Sequence, residues 1–151
     1  MENKILAENK KAYFNYEILE KLEAGIVLLG QEVKSIRGGR INLAGSYVVL
    51  KDNEVFLIGA NIPPYQPKNI FDDYRPDRSR KLLLKKKEIN YLIGKSRQKS
   101  LTLIPLRVYN RNGKIKLEFG IGKGKKEFDK RETIKKREQK REIERELKIR
   151  G

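Results

Sequence analysis

The sequence predicts a mainly β protein: a small closed barrel with short flanking helices, followed by a separate basic tail. Three observations carry that expectation. Residues 114–121 alternate strictly, with Ile115, Leu117, Phe119 and Ile121 set against Lys114, Lys116, Glu118 and Gly120, the period of a strand with one dry face. Other apolar runs are short and bounded by turn residues, helical periodicity appears only in brief pieces, and no βαβ alternation occurs. After Ile121 the composition changes abruptly.

Taken in order, residues 1–12 are polar and basic, and their pattern predicts little order before the first strand. From Tyr13 to Leu29 the chain reads as β: Phe14, Tyr16 and Ile18 alternate with Asn15 and Glu17. Ala24-Gly25 marks a bend or bulge, and Ile26-Val27-Leu28-Leu29 reads as a buried strand. Glu32 to Arg37 is predicted as a short helix with Val33 and Ile36 inward, stopped by Gly38-Gly39. A hairpin follows: Tyr47-Val48-Val49-Leu50, a turn at Lys51-Asp52-Asn53, then Val55-Phe56-Leu57-Ile58. Pro63, Pro64, Pro67 and Pro76 predict a long loop to Arg80. Glu88 to Ser96 is helical in pattern, with Ile89, Leu92 and Ile93 on one face. Two strands complete the domain, the first broken at Pro105 by an edge or bulge, with a hairpin turn at Asn112-Gly113 between them.

The tail is predicted as a second unit, dividing the chain into 1–122 and 123–151. Residues 123–151 hold 13 Lys+Arg and 7 Asp+Glu, a net of +6, leaving +10 on residues 1–122. Its apolar residues are Phe128, Ile134, Ile143, Leu147 and Ile149, too few to offset the entropy of ordering, so the tail is expected to be disordered when free. Helix is nevertheless latent there. Glu127–Arg131, Glu132–Lys136, Glu144–Lys148 and Glu146–Arg150 are acid-before-base pairs at i, i+4, and Asp129 with Glu132 has capping-box spacing. Gly122-Lys123-Gly124 is expected to serve as a hinge.

Charge narrows the class of partner. The 36 Lys+Arg against 20 Asp+Glu give a formal net charge of +16, and self-repulsion of that size is relieved by a polyanion, nucleic acid above all. Three basic clusters fit phosphate contacts: Lys34, Arg37 and Arg40; then Arg75, Arg78, Arg80, Lys81, Lys85, Lys86 and Lys87; then Lys123, Lys125 and Lys126. Tyr13, Tyr16, Tyr65, Tyr74, Tyr91 and Tyr109 lie near loops or strand ends, where stacking on bases competes with ordinary burial. The chain has no Cys and no His, which excludes disulfides, Cys-based zinc sites and thiol or imidazole catalysis. Asp72, Asp73 and Asp77 are the best candidate metal cluster for a nuclease, but no spacing motif supports them. No segment resembles a signal peptide or a spanning helix, so a cytoplasmic protein is expected.

Specific strings extend this reading. Asn9-Lys10-Lys11-Ala12, Glu23-Ala24-Gly25-Ile26, Glu32-Val33-Lys34-Ser35-Ile36-Arg37, Arg80-Lys81-Leu82-Leu83-Leu84, and Gly122-Lys123-Gly124-Lys125-Lys126 with Asp129-Lys130-Arg131-Glu132 occur in that order. From about residue 8 to the C-terminus, the chain resembles the small protein B family of bacterial SsrA-binding proteins.

The resemblance implies an oligonucleotide-binding (OB)-type β-barrel that binds the tRNA-like domain of transfer-messenger RNA and delivers it to stalled ribosomes in trans-translation. It also implies elongation factor Tu as a partner in the delivery complex and calls for no cofactor; the residues themselves suggest no catalysis and no symmetric coiled coil, so a monomer is expected. By position, Asn9, Lys11, Glu23 and Leu83 would support RNA binding, and Lys34, Arg37, Arg80 and Lys81 would hold phosphates. Lys123, Lys125, Lys126, Phe128, Asp129, Lys130 and Arg131 would engage the ribosome, the tail entering the empty message channel near the decoding centre. Phe128 stands where relatives often carry His or Tyr, and Lys85 where they carry His or Asn. The composition equally permits a structural ribosomal protein or a general single-stranded RNA-binding barrel.

Overall fold

Strands dominate the molecule and close on one another. The computed structural model describes residues 4–65, 73–98, 100–125, 135 and 137–141. The elements are β1 (Lys4–Glu8), α1 (Lys10–Asn15), β2 (Tyr16–Ile26), α2 (Gly30–Arg37), β3 (Tyr47–Lys51), β4 (Glu54–Ile58), β5 (Arg80–Leu83), α3 (Lys86–Ser96), β6 (Leu101–Arg111) and β7 (Lys114–Gly124). Every pairing is antiparallel: β6 joins β3, then β4, β5, β2 and β7 follow, and β7 returns to β6. The result is a ring of six strands, with β1 laid along the far half of β6.

The inward face of β7 supplies the centre of the core. Leu117 and Phe119 have no exposed surface, and Ile121 is 1% exposed, as the alternation predicts. Burying a ring such as that of Phe119 contributes about 3 kcal/mol. Val55 and Leu57 from β4, Val108 from β6, Ile36 from α2 and Leu92 from α3 pack into the same cluster. The predicted 47–58 hairpin forms with Tyr47 opposite Ile58, turning through Asp52 and Asn53 at φ 51° and 61°. Asn112 and Gly113, at φ 52° and 78°, turn β6 into β7. Pro105 marks a bulge, because the β6–β7 register shifts between Pro105 and Arg107.

Several elements differ from expectation. Residues 4–15 are a strand and a helix, not a loose lead-in. Asn9 N–H donates to the Leu106 carbonyl at 2.7 Å, and Ala12 packs with Ile104 and Leu106, so tertiary contact orders a segment with no periodicity of its own. Phe14 accordingly lies on a helix. Ala24-Gly25 continues straight through β2, whose register shift comes earlier, between Ile18 and Glu20. Val27 and Leu29 are each 45% exposed, because β2 ends at Ile26 and the chain turns into α2. Gly122 to Gly124 is strand and not hinge, paired with both β2 and β6. A Cβ at Gly122 would lie 2.9 Å from the Glu17 carbonyl oxygen, so the glycine is there for close approach.

Beyond β7, residues 135 and 137–141 are helical and exposed. Lys126, Phe128, Asp129, Lys130, Arg131, Asp72, the four acid–base pairs and the capping box lie wholly or partly outside the described residues. Among the described residues no helix is long and apolar enough to cross a membrane.

Candidate nucleic-acid interface

The basic stretch around β5 divides between interior and surface. Strand periodicity sends Arg80 and Leu82 inward and Lys81 and Leu83 outward. Arg80 has no exposed surface, which requires a counter-charge. Glu32 of α2, equally buried, supplies it: Arg80 Nε and Nη2 donate to Glu32 Oε2 at 3.0 and 2.6 Å. Arg80 also donates to the carbonyls of Ala60 at 2.7 Å and Pro76 at 2.8 Å. Arg78 and the Tyr74 hydroxyl donate to the same carboxylate, and the Leu29 amide donates to it at 2.9 Å. Burial pushes the Glu32 carboxyl up, but the bonds from Arg78, Leu29 and Arg80 outweigh it and hold the group below its ordinary range. The expectation that Arg80 holds phosphate is therefore corrected. Its donors face the interior, and its work is to tie β5 to α2.

Glu23 and Leu83 come together on the outer face. They share a recess of about 450 Å³ with Gly25, Leu84, Lys85, Glu88 and Lys116. Leu83 is 54% exposed, the most exposed of the large apolar side chains among the described residues. Cross-strand register sets Glu23 directly opposite Glu118 on β7, a like-charge pair that needs compensation. Two arginines of β6 provide it. Arg107 Nη2 donates to Glu118 at 3.2 Å, and Arg111 Nη1 donates to both Glu23 oxygens at 3.0 and 3.1 Å. The Tyr109 hydroxyl donates to Glu23 as well. That bond lowers the Glu23 carboxyl, against burial, and Arg111 and Lys116 add to the lowering. Tyr109 is pushed up, by burial first and by Glu23 second.

The remaining candidates are dispersed. Asn9 is 9% exposed and donates its amide to the Pro105 carbonyl at 2.9 Å. With Lys11 it lines a different and larger groove of about 800 Å³, at the seam where β3 meets β6 through the single registered pair Val48–Leu103. Lys34 and Arg37 are exposed on α2, and Arg37 reaches the Gly113 carbonyl at 3.2 Å. Exposed Lys81 pairs with Glu54 at 3.2 Å. Lys123 is exposed near the end of β7, while Lys125 is tied to the body, its N–H donating to Asn15 O at 2.8 Å and its Nζ to Tyr13 O at 2.9 Å.

Tyr109 was one of the tyrosines weighed for stacking on bases, and at 3% exposure its ring falls to burial; Arg111 and Lys116 were not singled out by the sequence. The alternation of 114–121 placed Lys116 on the wet face, but the register that brings it to Gly25 is not written in either strand alone. Among the described residues no three His, Cys, Asp or Glu side chains group to hold a metal ion.

A ring of antiparallel strands with a few short helices and a net positive charge places the chain in the class of small, mainly β basic proteins. The family model described as SmpB protein matches residues 6–149, and the chain belongs to that family. It is 54% identical over 147 residues to the SsrA-binding protein of Acetivibrio thermocellus, covering 97% of this chain and 95% of that one. It is 52% identical over 148 residues to the SsrA-binding protein of a Sulfurihydrogenibium species, covering 98% and 97%. A solved structure described as "tmRNA-SmpB: a journey to the center of the bacterial ribosome" contains a similar chain, with TM-score 0.66, 45% identity, and coverage of 80% of this chain and 85% of that one.

Proposed function

We propose that this chain binds the tRNA-like domain of transfer-messenger RNA and carries it to stalled ribosomes for trans-translation. The observation that carries the proposal is the meeting of Glu23 and Leu83, from β2 and β5, in one recess of a chain that belongs to the SmpB family. An acid beside an exposed apolar side chain suits an unpaired base, accepting from its N–H groups and covering its face. Lys34, Arg37 and Lys81, with Lys85 and Lys116 at the recess, supply phosphate contacts, and Asn9 and Lys11 extend the surface. The strand ring corresponds to an OB-type barrel, the expected boundary at 122 moving to Lys125 because β7 runs to Gly124 and Lys125 is bonded to Tyr13 and Asn15. The tail beyond, with Lys126, Phe128, Asp129, Lys130 and Arg131, is the part that enters the message channel, while Lys123 and Lys125 hold its root to the ring. Elongation factor Tu joins the delivery complex, and the chain acts in the cytoplasm as a monomer without catalysis.

Titration at fixed salt against the tRNA-like domain and an unrelated RNA hairpin of equal length tests the proposal. A clear preference for the first is expected, whereas equal affinity would leave only a general RNA binder, whose affinity follows charge and salt. Ending the chain after Lys125 should keep that affinity nearly intact while abolishing peptide tagging on stalled ribosomes. Equal loss of both would refute the two-part arrangement.

A further inference from the structure

The proposed reading leaves open what makes Glu23 useful in a protein whose partner is a polyanion. A mobile carboxylate on a basic surface would repel phosphate and gain little. Here it is not mobile. The Tyr109 ring is 3% exposed and lies beneath the Arg107 guanidinium, whose carbon stands 5.2 Å from the ring centroid. From that buried position its hydroxyl reaches Glu23 Oε2, while Arg111 approaches from solvent with a side chain 53% exposed. A carboxylate offers about four lone-pair directions, so acceptor capacity remains toward the recess. Gly25 keeps the recess open, since a Cβ there would sit 3.4 Å from Leu83 Cβ and 3.7 Å from Lys116 Nζ.

We propose that Tyr109 is a positioning residue: it fixes the Glu23 carboxylate as an acceptor edge, so that the recess formed with Gly25, Leu83 and Lys116 takes an unpaired nucleobase presenting N–H donors. This rests on the RNA-binding reading above and adds the residue that orients the acceptor for the recognised base. The charged groups around the carboxylate are Arg111 from β6, Lys116 and Glu118 from β7, and Lys85 and Glu88 at the start of α3. Among the described residues, Tyr109 alone bonds to it from the buried side. Removing the hydroxyl leaves the carboxylate held by Arg111 from the solvent side, loosens its orientation and weakens recognition without changing net charge.

A double-mutant cycle on the full chain, binding a transcript of the tRNA-like domain at fixed salt, separates positioning from structure. Tyr109→Phe is expected to weaken binding about fivefold to tenfold when Glu23 is present, and by less than about twofold in the Glu23→Gln background. A loss of the same size in both backgrounds would overturn the proposal, because a packing defect does not depend on Glu23. A second readout needs no RNA. Carboxyl carbon NMR should show the Glu23 titration midpoint rising in Tyr109→Phe, since the hydroxyl holds it low. An unmoved midpoint would overturn the proposal too. If the wild-type chain fails to prefer this RNA over the unrelated hairpin, the RNA-binding reading itself falls; if it prefers it but the cycle is additive, only the positioning role falls.

Discussion

Replacing Glu32 by glutamine keeps the side chain's size and removes its charge, and the geometry sets the cost. Glu32 and Arg80 both have side chains with no exposure, and Arg78 is 29% exposed. The substitution leaves the Arg80 guanidinium buried against the neutral carbonyls of Ala60 and Pro76, 2.7 and 2.8 Å away. Breaking a buried ion pair from one side costs about 3–5 kcal/mol, a large share of the 5–15 kcal/mol of a typical domain. Chemical denaturation should show that loss as a lower midpoint at unchanged slope, and heating should show a melting temperature lower by about 10–20 °C. The pH dependence has a fixed sign. The folded carboxyl titrates below the ordinary 4.5, so its contribution is complete above that value and fades as pH falls through the folded pKa. The gap between wild type and Glu32→Gln must therefore narrow in acid. A loss under about 1 kcal/mol at pH 7, or a gap constant down to pH 3, would refute the account.

Leu83→Ala removes a side chain already 54% exposed, so stability should move by no more than about 0.5 kcal/mol while affinity for the tRNA-like domain falls; parallel denaturation and binding curves check both. Gly120→Ala places a Cβ 2.9 Å from Ile18 Cγ2 and 3.2 Å from Leu106 Cδ1, which should cost about 1–3 kcal/mol in denaturation, and an unchanged midpoint would refute the close packing there. Lys34→Ala with Arg37→Ala should lower the slope of log affinity against log salt by about 2; an unchanged slope would show that neither side chain meets a phosphate.

What the sequence made legible follows from the range of each signal. The 47–58 hairpin, the Asn112-Gly113 turn and the inward row of β7 were readable because alternation and turn chemistry are local. So was α2, although it begins at Gly30, two residues before the predicted start at Glu32. Residues 4–15 were not readable: a five-residue strand and a six-residue helix are shorter than the windows in which a period can be measured, and β6 supplies their order. The Ile26–Leu29 run misled because four apolar residues in a row carry no direction. At the site, Glu23 and Leu83 were named through their resemblance to a family. The partners that shape them, Tyr109, Arg111 and Lys116, depend on register between distant strands, which composition does not encode.

β5 reverses the usual sorting of side chains. Its four residues run buried, exposed, buried, exposed, and the reversal puts a guanidinium in the core and a leucine in solvent. The two halves have different resolutions. Inside, the chain answers its own demand: Glu32 sits on Arg80, and Arg78 and Tyr74 share the carboxylate. Counting Arg80 as a surface cation therefore overstates the charge that a phosphate can reach. Outside, Leu83 stands beside Gly25, where no side chain covers it, and faces the carboxylate that Tyr109 and Arg111 hold. Burying an apolar side chain is favourable, so a base that covered Leu83, as proposed, would gain that free energy on binding. An ion pair fixed within and an apolar contact left open without are what the proposed reading asks of this strand: a rigid edge that presents Leu83 to a base.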